Sequence, residues 1–289
     1  MLSLRHGKKH LRWSLAAICA VGICICMICG CGRADYGICI VSPDGVAGAN
    51  EESFYPMHSV MKFPQAIYVA DRLCGNGIPL DSALVVRKDE LMQDTWSPML
   101  GMMDESGSFS FRDLLRLSLA ESDNNACDLL FDYCGGPFAV EQFVKQLGFN
   151  DIRIAVTERQ MHEDTALAEL NCCTPKEMTS LLLWFNEHKD DNEYYRTVWD
   201  IMAACNTGAE RIPAAFGPDC RIIHKTGTGF APEGVLPPMN DAGIVILPDG
   251  RLLAITVFVP KPKSKGEVAE IVKVQIEHET STKELLNLE

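Results

Sequence analysis

Hydrophobic and polar positions alternate differently along the chain, giving strand-like ends and a helical middle. Gly37 to Val41 is an apolar run of strand length, Ser42-Pro43-Asp44-Gly45 reads as a turn, and the segment to Phe54 as a weaker returning strand. From Ser59 to Leu73 the spacing becomes helical and is closed by Cys74-Gly75-Asn76-Gly77, with Pro64 close enough to the start to be tolerated. Four later stretches repeat the helical period. Phe111, Leu114 and Leu115 begin one; Val140, Phe143, Val144 and Leu147 form the next, between Pro137 and Gly148. Thr174-Pro175-Lys176-Glu177 reads as a capping box opening a third, with Met178, Leu181, Leu182 and Phe185 on its apolar face, and Val198, Ile201, Met202 and Cys205 mark the fourth. After Gly217 the period shortens. Arg221 to Gly229 reads as a strand, Gly243 to Leu247 and Leu252 to Val259 as a hairpin about Pro248-Asp249-Gly250, and Val268, Ile271 and Val272 start a last helix. The pattern predicts an α/β domain built from 36–58 and 206–289, with an all-α domain over 59–205 inserted into it.

Composition agrees with a large buried core: 289 residues, 47% of them hydrophobic. Residues 1–30 stand apart. Arg5, Lys8, Lys9 and Arg12 precede an uncharged apolar run from Ser14 to Gly30, the pattern of a signal peptide. As a helix that run would span about 26 Å, short of a bilayer core of about 30 Å, which favours a cleaved leader and an exported protein. Ile28-Cys29-Gly30-Cys31 is similar to a lipoprotein cleavage box, making Cys31 a candidate lipidation site and membrane attachment point. The formal charge of −13 becomes −17 without the leader, a surface that repels phosphate backbones and argues against nucleic acid as a partner. The cysteines beyond Cys31 lie mostly among apolar neighbours, where a free thiol acts as a small hydrophobe; their spacing fits no zinc site.

The candidate chemistry lies in three short motifs. Ser59-Val60-Met61-Lys62 puts a hydroxyl and an amine on one helical face, where the amine can help activate the hydroxyl as a nucleophile. Ser122-Asp123-Asn124 lies in a polar patch after the helix from Phe111, and Lys225-Thr226-Gly227 on a predicted strand, where Gly227 would let a ligand approach the backbone. Singly, these read as a capping serine with an exposed lysine, a loop or helix cap, and an exposed strand end. Together and in this order they form a recognisable set.

That set resembles the class A serine β-lactamases, within the broader family of penicillin-binding serine acyltransferases, from about Tyr36 to the last helix. Ser122-Asp123-Asn124-Asn125-Ala126-Cys127 and Glu158-Arg159-Gln160-Met161-His162 are similar to the cephalosporin-preferring subgroup. The resemblance implies an antiparallel sheet flanked by helices with an inserted helical domain, and a monomeric hydrolase of small β-lactams needing neither metal nor organic cofactor. It implies acylation of Ser59, with Lys62 and Glu158 as candidate bases and Glu158, in a loop, activating the hydrolytic water. Ser122 would pass a proton to the lactam nitrogen, and Asn124 would hold the acylamide side chain and position Lys62. Lys225, Thr226 and Thr228 would bind the substrate carboxylate, Arg211 would add a second charge, and the N–H groups of Ser59 and Thr228 would form an oxyanion hole. Trp96 would be either an aromatic beside the substrate or a core residue, and His162 either a support for the water or a loop brace.

Three departures accompany the resemblance. Too few residues separate Cys31 from Tyr36 for the helix that usually precedes the first strand. Val156 and Asn171 stand where relatives pair arginine with aspartate to close the glutamate loop, and Ala66 and Leu115 replace the cysteines of a familiar disulfide. Two other functions fit the same motifs: a cell-wall D,D-peptidase that β-lactams merely inhibit, and a non-catalytic β-lactam sensor.

Overall fold

The computed structural model describes residues 35–286, so the leader, the lipidation site at Cys31 and the segment bearing on a preceding helix lie outside the described residues. The described residues open on the sheet. Strands β1 (Gly37–Ser42) and β2 (Gly45–Ala49) form the first hairpin, and β3 (Tyr55–Pro56) leads to a tight 3-10 turn over His58–Met61. That turn runs directly into helix α1 (Lys62–Gly75), so the helical run foreseen from Ser59 is two conformations in series. Pro64 falls within the first turn of α1, where its missing N–H costs no hydrogen bond.

The helical half follows. Strands β4 (Ala83–Arg87) and β5 (Ser106–Ser110) pair as a small outlying ribbon, and α2 (Phe111–Ala120) starts at a reciprocal cap between Ser110 and Asp113. Helix α3 (Asn124–Cys134) is capped by Asp123, and α4 (Pro137–Gln146) opens on its proline. After β6 (Ile152–Arg153) comes α5 (Glu158–Glu163), and β7 (Cys172–Cys173) ties this region to β3.

Helices α6 (Pro175–His188) and α7 (Glu193–Ala203) return the chain to the sheet. Thr174 caps α6 as expected, but only half of the box forms: the Glu177 carboxylate accepts from the Asp151 N–H instead. Although α6 lies inside the 59–205 span, it packs on β1, β9 and β10, and its Thr179 hydroxyl donates to Thr256 Oγ1 at 2.9 Å. Its apolar face, with Met178, Leu181 and Leu182, joins the core shared by helices and sheet.

Strands β8 (Arg221–Thr228), β9 (Met239–Ile246) and β10 (Leu252–Val259) complete an antiparallel sheet in the order β2-β1-β10-β9-β8, and helix α8 (Glu267–Leu286) closes the chain. The two faces of β10 have different fates. Ala254 and Phe258 face the helical core, while Leu253, Ile255, Val257 and Val259 pack with Ile38, Ile40, Val268 and Val272 in a second core beneath α8. Strands buried on both faces read as continuous apolar runs, which is why Leu252 to Val259 was legible. Edge strand β8 lies beside the turn carrying Ser59.

Candidate active site

Gly227 sets the distance between sheet and helices. A Cβ there would lie 2.5 Å from the Met57 carbonyl oxygen and 3.2 Å from the Val60 nitrogen. The close approach that requires glycine is therefore made by the backbone beside Ser59. Asn240, on the neighbouring strand, locks the same junction by donating to the carbonyls of Pro56 (2.7 Å) and Met57 (3.2 Å).

Lys62 is fully buried and its ammonium is surrounded by acceptors: Asn124 Oδ1 at 2.7 Å, the Ser122 carbonyl at 2.8 Å and Glu158 Oε1 at 3.0 Å. Ser59 Oγ donates to the same Glu158 oxygen at 3.4 Å. Glu158 therefore touches both members of the Ser-x-x-Lys motif. It opens helix α5 instead of lying in an irregular loop, and Thr157 and Gln160 cap that helix reciprocally. The Thr157-Glu-Arg-Gln160 spacing is a capping-box signal for this helix that the sequence reading, with Glu158 in a loop, did not use.

Asp128, which no motif marked, fixes the start of α5. Its two carboxylate oxygens accept from the backbone N–H groups of Glu158 (2.8 Å) and Arg159 (2.9 Å). Burial is the main cause that pushes its carboxyl up to about 7, against the lowering effect of these hydrogen bonds. The far end of the segment is held by Asn171, also buried. Its Oδ1 accepts from Ala155 (2.8 Å) and Val156 (3.1 Å), and its Nδ2 donates to the Val156 carbonyl at 2.9 Å. One amide thus joins both ends of the segment where a charged pair was missing from the sequence.

Ser122 has φ +59°, and its backbone costs about 1–3 kcal/mol in that region. Two ammonium groups hold it there: Lys62 on its carbonyl, and Lys225 on its Oγ at 2.9 Å. Lys225 is fully buried, and desolvation first, then the charge of Lys62, pull its ammonium down to about 7. It also donates to the Thr226 carbonyl. Asn124 Nδ2 donates to Thr95 Oγ1 at 2.8 Å, and Asp123 clamps Ser97 and the Met99 N–H, so the Ser-Asp-Asn motif holds the segment bearing Trp96.

These groups converge on one cleft of about 450 Å³, lined by Ser59, Ser122, Asn124, Glu158, Thr226 and Thr228 among others. Trp96 lines it too, 64% exposed with its indole N–H on the Glu121 carbonyl, which removes the core reading. His162 is at the rim, 3.0 Å from Asp94 Oδ2. Arg211 reaches the cleft but is committed internally, donating to the carbonyls of Gly227 and Asn240 at 2.8 Å and to Thr228 Oγ1 at 2.6 Å. Lys62, Lys225 and Gly227 lie behind the lining. His58, beside Ser59 with φ +48°, was missed by sequence reasoning and also lines the cleft. The arrangement offers a hydroxyl in contact with a carboxylate, buried ammonium groups that favour developing negative charge, and an open face for a small molecule.

Comparison with known proteins agrees with this chemistry. Residues 31–275 match the model of the Beta-lactamase enzyme family. The chain is 32% identical to β-lactamase VEB-1 of Pseudomonas aeruginosa, over 76% of this chain and 75% of that protein. It is 29% identical to the extended-spectrum β-lactamase PER-1 of the same organism, over 84% and 80%. Among solved structures, a representative class A β-lactamase from Bacteroides cellulosilyticus superposes with a TM-score of 0.77 at 30% identity, covering 89% of this chain and 96% of that one. With sequence, fold and cleft in agreement over most of its length, the chain belongs to the class A serine β-lactamases.

Proposed function

We propose that this protein hydrolyses β-lactams through an acyl-enzyme on Ser59, with Glu158 as the base for water. The observation that carries the reading is the single carboxylate oxygen of Glu158 within 3.4 Å of Ser59 Oγ and 3.0 Å of Lys62 Nζ. Attack of Ser59 Oγ on the lactam carbonyl requires loss of its proton; Glu158 touches that oxygen and can accept it, and Lys62, an ammonium on the same carboxylate oxygen, can act as base only after passing its own proton to Glu158. The oxyanion is received by the N–H groups of Ser59 and Thr228. Because Ser122 Oγ already accepts from Lys225, its own proton is available to the departing lactam nitrogen. Asn124 holds Lys62 through its carbonyl and retains an N–H for the substrate's acylamide group. Thr226, Thr228 and the charge of Lys225 receive the substrate carboxylate, with Arg211 supporting Thr228. Trp96 flanks the bound drug, and His162 braces the Glu158 helix near the water.

Deacylation distinguishes a β-lactamase from a cell-wall D,D-peptidase or a sensor of the same fold. Glu158→Ala retains acylation and slows deacylation by about 10²–10⁴-fold, leaving a long-lived covalent adduct by intact-mass spectrometry. Parental turnover of a chromogenic cephalosporin by that variant would overturn the role of Glu158. Lasting labelling of the unmodified protein without turnover would favour the peptidase, and absence of any adduct the sensor. The cephalosporin preference rests on the Ser122–Cys127 and Glu158–His162 stretches, and relative kcat/KM for cephalosporins and penicillins tests it. The basic, then apolar first thirty residues support export, with Cys31 as lipid anchor; mass of the membrane-extracted protein tests the anchor.

A further inference from the structure

A second reactive cluster lies behind the cleft. Cys205 follows the C-terminus of α7 and is partly exposed; it does not line the cleft. Its Sγ lies 3.3 Å from Thr207 Oγ1, and the imidazole of His224 acts on it electrostatically. His224 is buried on β8, with Nδ1 2.9 Å from Asp241 Oδ1 on β9. Gly243 makes room for this histidine, since a Cβ there would lie 2.5 Å from His224 Cβ. Asp241 is itself buried and also accepts from the Ile212 N–H at 3.1 Å. The cluster is a thiol, an imidazole and a carboxylate in series, with Lys225 acting on the thiol from the next position on β8.

Two effects oppose each other at the sulfur. Burial and the negative end of α7 disfavour a thiolate. The positive charge on His224, sustained by Asp241, and that of Lys225 favour it, and they prevail: the Cys205 thiol is held down to about 7 while the imidazole is pushed up to about 10. Among the described residues, no group of three or more His, Cys, Asp or Glu side chains is suited to hold a metal ion.

We propose that Cys205 is a site of reversible covalent modification by small disulfides, set by the Cys205–His224–Asp241 series and coupled to the substrate cleft through Thr207. In the step itself, the Cys205 thiolate attacks one sulfur of the disulfide. A new S–S bond forms to Cys205 as the original one breaks, and the displaced thiolate leaves with the bonding electron pair and takes a proton from solvent. His224 remains protonated against Asp241. Thr207 Oγ1 lies 2.6 Å from Thr226 Oγ1, so a group added to the sulfur displaces Thr207 from the contact that positions Thr226 at the cleft.

The coupling rests on the proposed β-lactamase reading; the modification does not, and the test separates them. The full-length protein is treated with limiting 5,5′-dithiobis(2-nitrobenzoate) at pH 7, and the labelled peptides are mapped by mass spectrometry. Cys205 reacts about tenfold or more faster than Cys74 and Cys220, despite the greater exposure of Cys74, because a larger share of it is thiolate. His224→Asn removes that advantage. KM for a chromogenic cephalosporin rises about threefold or more in the Cys205 adduct and returns with dithiothreitol, while Cys205→Ser keeps its parental KM and is insensitive. Faster labelling of Cys74 or Cys220, or an unchanged Cys205 rate in His224→Asn, would overturn the site. A Cys205 adduct with unaltered KM would overturn the coupling alone, and absence of all β-lactam turnover would strike the functional reading while leaving the labelling result intact.

Discussion

Lys225 shows how position alters a residue that the sequence names correctly. Its motif predicts a cation at the substrate carboxylate, but complete burial near Lys62 brings its ammonium down to about 7. Below that pH the lysine is charged and attracts the carboxylate; above it the charge is lost. For a carboxylate-bearing β-lactam, kcat/KM therefore falls as pH rises through about 7, approaching about one decade per pH unit. Lys225→Arg, whose guanidinium stays charged, removes this alkaline limb. A pH–rate profile identical in the two proteins would refute the assignment. Serine, lysine and glutamate were legible in the sequence because their chemistry is intrinsic and their motifs local. Asp128 and Thr207 were not, because their contacts run to Glu158 and Thr226, well removed in the chain.

Among the elements, the segment from Ile154 to Asn171 carries the glutamate without an arginine-aspartate tie. The Asn171 amide, itself fully buried, satisfies three backbone groups, at Ala155 and Val156. Asn171→Ala leaves these groups unpaired and lowers stability by about 3 kcal/mol, measured by urea unfolding. Because the same amide bounds the segment that presents Glu158, deacylation slows with it; a variant of parental stability would show that the loop is held elsewhere. Long periodic elements such as α1, α6 and β10 were readable. Of helix α3 only its start was legible, as a loop or helix cap at the Ser-Asp-Asn motif, and α5 was too short to repeat a period. The β4–β5 ribbon escaped notice because exposed positions and the polar Ser106-Gly-Ser-Phe-Ser segment weaken its alternation.

At the scale of the whole molecule, the chain holds its halves together by burial. The described residues include eight cysteines, of which Cys39, Cys127, Cys134, Cys172 and Cys173 are buried as small side chains. Desolvation pushes the thiols of Cys127 and Cys173 well up, which keeps them unreactive. The unmodified protein should accordingly unfold at the same Tm with and without dithiothreitol, within about 1 °C; a larger drop under reductant would reveal a stabilising cross-link. One core joins helices to the inner face of the sheet and the other joins the outer face to α8. The cleft lies where Gly227 permits the first of these junctions to close to backbone contact.

The chain's own order of residues determined which segments are strand or helix, since periodicity reports the face each element buries, and it determined the three motifs and their family. The tertiary structure alone decided which charges meet. It placed Glu158 between Ser59 and Lys62, turned Ser122 toward Lys225, and lined up Cys205, His224 and Asp241. The physical reason is that Coulomb attraction and desolvation depend on distance and burial in space, and neither quantity is written in the separation of residues along the chain.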